Sequence, residues 1–140
     1  MCNNVIQPAV ITAVPFLGST ASPYALQVNV TQRLMSKCCA GSVPVFSPQF
    51  SLKSVGQVGT NQYALTMHVE GIISYVPCNA GCGCTKQQPL SQDFVVYLQS
   101  ETAPTVTIAQ GSTINDLAVT PCQSCSRSFV SETPLTLTVA

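Results

Sequence analysis

Apolar and polar residues alternate along most of this chain with a period of two, and that pattern predicts strands. Between positions 24 and 34, Tyr24, Leu26, Val28, Val30 and Leu34 fall on one side and Gln27, Asn29, Thr31 and Arg33 on the other, as in a half-buried strand. The strongest run covers residues 61–76, where Tyr63, Leu65, Met67, Val69, Ile73 and Tyr75 alternate with Thr66, His68, Glu70 and Ser74. Gly71 in its middle predicts a bulge or a close backbone approach. Residues 43–52 read as extended, with Pro44 and Pro48 marking an edge or a bend. Residues 94–99 are apolar on both faces, which predicts a strand that is central or covered by another subunit. Residues 105–109 and 114–119 form short strands around Gln110-Gly111-Ser112, and residues 127–139 place Phe129, Leu135, Leu137 and Val139 on one face. Helical spacing with a cap is absent, and ten prolines and eight glycines punctuate the chain. About eight closely spaced strands predict an all-β fold: a single antiparallel β-sandwich over residues 19–140, jelly-roll or immunoglobulin-like. The turn Ser36-Lys37-Cys38-Cys39-Ala40-Gly41 is expected to end the first body strand.

Residues 1–18 read as an extended N-terminal arm. Val5, Ile6, Val10, Ile11, Val14, Phe16 and Leu17 are apolar, and Pro8 and Pro15 prevent a helix. Such a segment is either a first strand of its own domain or a strand donated to a neighbour.

Composition sharpens this picture. The 140 residues are 46% hydrophobic and only 7% charged, against about 25% charged in ordinary domains. Gln alone, at 12, outnumbers the five basic and five acidic residues together. A surface of Ser, Thr, Gln and small apolar groups opposes association weakly, so much of it is expected to be covered by identical subunits. Zero net charge and no basic run argue against nucleic-acid partners. No apolar stretch is long enough to predict a membrane span. The N-terminus lacks a basic region and reads as a poor secretion signal, so synthesis in a cytosol is expected.

The eight cysteines then pose the chemical question. Cys2 lies on the arm; Cys38 and Cys39 are adjacent; Cys78, Cys82 and Cys84 crowd one loop with two glycines; Cys122 and Cys125 share a C-x-x-C spacing. Zinc would require four thiolates from two turns, for example Cys82, Cys84, Cys122 and Cys125, and leaves the other four unexplained. A redox C-x-x-C opens a helix, whereas this one precedes a strand pattern. The single histidine, His68, lies mid-strand with no cysteine placed beside it, and the acids are scattered singly. No catalytic pair, cofactor or metal is predicted. Disulfides account for the most: Cys78, Cys82, Cys84, Cys122 and Cys125 as internal staples, and Cys2, Cys38 and Cys39 as candidates for bonds between chains.

A short apolar arm bearing Cys2, a charge-poor β-sandwich and cysteines on the body together resemble the endospore-appendage subunits of spore-forming Firmicutes. The resemblance implies jelly-roll subunits stacked into helical fibres, with Cys2 as the connector cysteine and residues 5–17 reaching into the next subunit. It also implies synthesis in a mother cell and exposure at lysis, which reconciles many cysteines with a poor secretion signal. The expected function is a structural, non-enzymatic subunit whose partners are copies of itself. The expected product is a disulfide-stabilised filament, extracellular or on the spore surface. A zinc-binding interaction module and a viral capsid or decoration protein are the alternatives.

Overall fold

Among the described residues, the alternation becomes nine strands in two antiparallel sheets. The structure, a computed structural model, describes residues 8–15, 22–39, 42–77, 85–118 and 125–139. Sheet A contains β1 (Val10–Pro15), β2 (Tyr24–Cys39), β9 (Cys125–Val139), β7 (Val106–Gln110) and β8 (Ile114–Ala118). Its order is β1-β2-β9, after which β7 and β8 occupy successive stretches of β9. Sheet B is built on β5 (Gln62–Tyr75), which pairs with β6 (Lys86–Gln99) on one side and with β3 (Val45–Phe46) and β4 (Gln49–Gly59) on the other. The two sheets form a β-sandwich.

The inward positions are the apolar ones of the alternation. Val28, Val30 and Leu34 of β2, Leu65, Met67, Val69 and Ile73 of β5, and Phe129, Leu135 and Leu137 of β9 are fully or almost fully buried. Phe46 and Phe129 meet edge to face across the core, ring centroids 5.8 Å apart. Each such buried side chain contributes about 1.5–3 kcal/mol by leaving water, and this burial sets the register, because a one-residue slip would turn every apolar group outward.

Proline falls where the ladder tolerates it. Pro89 lies on the edge strand β6. Pro134 lies within β9, paired to β2, but its carbonyl accepts from Gly111 N at 2.9 Å on the opposite side. Its missing N–H therefore faces the break between β7 and β8, where no rung is lost.

Several elements differ from the sequence-based expectation. The segment 36–41 is not simply a turn, because β2 continues to Cys39. The register shifts between Arg33 and Cys38, after which Cys38 pairs with Ser126 and Cys39 with Cys125. The extended stretch after 43 breaks at Ser47-Pro48 and continues to Gly59, turning into β5 through Thr60-Asn61, with Asn61 at φ 56°. The strand over 94–99 begins at Lys86, and among the described residues it is an edge strand rather than a central one. At Gly71 the β5–β6 register runs through without a bulge. The reason for glycine is close approach: a Cβ there would sit 2.6 Å from Phe46 Cε1 and 3.2 Å from the Ser47 carbonyl oxygen.

Three glutamines hold the sheets and segments together in one recurring way. Gln88 of β6 accepts from Met35 N at 2.8 Å and donates to the Arg33 carbonyl at 3.0 Å. Gln92 accepts from Ala9 N at 2.8 Å and donates to the Ala9 carbonyl. Gln110 accepts from Phe50 N at 3.3 Å and donates to the Pro48 carbonyl at 2.7 Å. A side-chain amide carries one acceptor and a donor, so it stands in for a rung of ladder where strands do not meet. At the β2 bulge this is a necessity, because backbone groups that lose their ladder partners must be paired if buried. There Tyr75 Oη also accepts from Ser36 N at 3.1 Å, and Lys86 Nζ donates to Ser36 Oγ at 2.8 Å.

Candidate functional site

The sandwich has two flanks, and they are finished differently. On the flank of β4 and β7, the Gln110 bonds and the bond from Asn115 Nδ2 to the Phe46 carbonyl (3.2 Å) tie sheet to sheet. On the opposite flank lie β1 and β6, each paired with a single neighbour among the described residues. Gln92 joins them near Ala9. Elsewhere along this flank lies an apolar groove of about 440 Å³, lined by Ala13, Tyr24, Leu26, Leu65, Leu98 and Leu137 with the β6 edge. On its rim, Val95 and Tyr97 are exposed at 47% and 75%. Two open strand edges flanking apolar surface form a template for pairing with further β-structure.

The part of the arm that is described, β1, pairs antiparallel with β2 of its own chain, Val10 opposite Thr31 and Pro15 opposite Leu26. Of the two uses open to an arm, residues 10–15 take the first. Residues 1–7 and 16–18 lie outside the described residues.

The predicted cysteines divide as follows. Cys2, Cys78, Cys82, Cys84 and Cys122 lie outside the described residues. Cys38 is buried in its own chain, its Sγ 3.1 Å from the Ser42 carbonyl oxygen, so a bond from it to another chain requires local opening. Its backbone bridges Pro77, the residue before the 78–84 stretch. Cys39 and Cys125 are opposite each other in the β2–β9 register. The end of β2, the start of β9 and the end of the chain leading to Cys78 thus lie together at one end of the sandwich. Among the described residues, no group of three or more His, Cys, Asp or Glu side chains is placed to hold a metal ion.

A polar cluster occupies the outer face of sheet B. The β5–β6 register sets His68 opposite Asp93 and Glu70 opposite Ser91. His68 Nδ1 lies 2.6 Å from Asp93 Oδ1, and Ser91 Oγ lies 3.1 Å from His68 Nε2. Lys53 Nζ donates to Asp93 Oδ2 at 2.8 Å, and Glu70 Oε2 stands 3.5 Å from His68 Nε2. A carboxylate only accepts, so Nδ1 carries the proton toward Asp93. Hydrogen bonding to Lys53 and then to His68 holds the Asp93 carboxyl below the ordinary aspartate value. The serine–histidine–aspartate order is that of a proton relay. Here, however, Glu70 competes for Nε2, Lys53 neutralises the aspartate, and the residues stand on an open sheet face. The arrangement acts as a cross-strand polar ladder holding β4, β5 and β6.

Two features were out of reach of the sequence. The cluster joins residues 25 apart through a strand pairing that alternation does not specify. The rim residues Val95 and Tyr97 belong to a run that reads as apolar on both faces, and their place at an edge was not visible. No family model, curated protein or solved structure matches this chain.

Proposed function

We propose that this protein is a structural subunit that self-assembles, edge to edge, into a disulfide-stabilised filament of the endospore-appendage kind, extracellular or on the spore surface. The observation that carries this reading is the flank of β1 and β6: two strand edges left unpaired among the described residues, a groove of about 440 Å³, and Val95 and Tyr97 exposed beside it. The partner is a second copy. A chain with 7% charge and zero net charge has little repulsion between copies. An edge that pairs with a different surface of the next copy makes a heterologous contact, which propagates as a helix unless the rotation closes. Cys2 is assigned the covalent lock between subunits.

The test is electrophoresis in SDS with and without reductant, together with electron microscopy. High-mass species without reductant, a monomer near 14.7 kDa with it, and fibres in the image are the expected results. A monomer under both conditions overturns the proposal. Closed shells in the image would favour the capsid reading, and one bound zinc in native mass spectrometry would favour the interaction module. The double variant Val95→Lys, Tyr97→Lys should abolish fibres while leaving the urea midpoint of the subunit in place. Fibres of unchanged length and number would place the contact elsewhere.

A further inference from the structure

The β2–β9 ladder runs without interruption from Tyr24↔Leu137 to Arg33↔Ser128, breaks at the bulge, and resumes for two pairs only, Cys38↔Ser126 and Cys39↔Cys125. Two rungs beyond a bulge are weakly held by hydrogen bonds alone, yet the last of them sets one cysteine directly opposite another. Opposed residues of an antiparallel pair have Cα atoms about 4.5–5.5 Å apart. That range lies inside the roughly 4.4–6.8 Å span that a disulfide bridges. We propose that Cys39 and Cys125 of the same chain form a cross-strand disulfide that closes the far end of the β2–β9 ladder.

The bond removes Cys39 from the set that can join chains and assigns Cys125 to β2 rather than to the loop at 78–84. It also restricts the unfolded chain strongly, since residues 40–124 lie between its ends. Formation needs a two-electron oxidant. A low-molecular-weight disulfide such as oxidised glutathione serves: two thiols and one glutathione disulfide give the protein disulfide and two glutathione thiols. The inference stands apart from filament formation, because an intrachain staple is compatible with a monomer and with a fibre.

The test is disulfide mapping on the full chain. Light and heavy nitrogen-labelled chains are reduced, mixed, and oxidised with glutathione disulfide. They are then alkylated and digested with trypsin under denaturing, non-reducing conditions. Cleavage after Lys37, Lys53, Lys86 and Arg127 puts Cys39 in peptide 38–53 and Cys125 in peptide 87–127. The expected product is these two peptides joined, both light or both heavy, with fragmentation assigning the bond to Cys39 and Cys125. Mixed-label pairs through Cys39, a bond from Cys39 to any other cysteine, or alkylated Cys39 overturns the proposal. The Cys39→Ser variant should leave Cys125 newly alkylatable, and Cys125→Ser should do the same for Cys39. The wild-type map does not depend on whether either variant folds.

Discussion

Gln88 offers the sharpest check on how the two sheets are joined. Its side chain is 0% exposed, and its amide serves the Met35 N–H and the Arg33 carbonyl, both within the β2 bulge. Gln88→Leu keeps the volume and removes the amide. The Arg33 carbonyl still accepts from Gln32 Nε2 at 3.1 Å, so the group left unpaired is the Met35 N–H, at about 1–3 kcal/mol. With a urea m-value of about 2 kcal/mol/M, the unfolding midpoint falls by about 0.5–1.5 M at unchanged m. The control is Gln87→Leu, one residue earlier and exposed, which should stay within about 0.5 kcal/mol of wild type. Equal midpoints for the two variants would refute the claim that a side-chain amide replaces ladder hydrogen bonds here. Gln88→Glu extends the argument. Its carboxylate can accept from Met35 N–H but cannot donate to the Arg33 carbonyl until protonated. Burial raises the pKa of such an acid, so the folded state binds more protons than the unfolded state and stability is lost as pH rises. The variant should therefore recover toward wild type as pH falls, and a pH-independent deficit relative to wild type would refute that account.

Other residues give independent checks. The depressed Asp93 carboxyl means the unfolded chain binds more protons below the ordinary aspartate value. That contribution to stability is present above this value and is lost as pH falls through the folded pKa. Lys53→Met should raise the Asp93 titration midpoint measured by NMR, and an unmoved midpoint would show that Lys53 is not its main partner. Gly71→Ala drives a Cβ against the buried Phe46 ring and should destabilise by about 1–3 kcal/mol in urea titration. Phe46→Leu in the same chain should relieve part of the clash, so identical losses in both backgrounds would contradict the contact. Ser131 Oγ is buried without a hydrogen-bond partner among the described residues. Ser131→Ala should leave stability unchanged or raise it by about 1 kcal/mol, and a clear loss by calorimetry would reveal a partner for the hydroxyl.

Much of the architecture was legible because burial in a strand repeats every two residues. The apolar inward positions of β2 and β5 were readable, from Leu26 to Leu34 and from Tyr63 to Tyr75, but the buried Gln32 among them was not. Glycine and proline marked most of the breaks, and the absence of helix followed from the missing 3.6-residue spacing. Pairing was not legible, since alternation assigns a residue to a face and says nothing about which strand lies beside it. Hence residues 94–99 of β6 read as central or covered by another subunit, and the pattern did not choose between them; β5 is the single strand neighbour of β6 among the described residues. Its start, Lys86-Gln87-Gln88-Pro89, was not read as strand. The polar cluster around His68 is likewise a product of the β5–β6 register. The glutamines show the same division. Their abundance was plain from the sequence and suggested only a neutral surface. The tertiary structure turned Gln88, Gln92 and Gln110 inward or sideways onto backbone groups that no strand reaches. For the cysteines, the sequence determined number and spacing and suggested cross-links. Which of them pair in the ladder was decided by a bulge in β2, because only after the shift between Arg33 and Cys38 does Cys39 come opposite Cys125 in the register. A local pattern records what each residue needs from its surroundings; the partner that meets the need is chosen by contacts far apart in the chain.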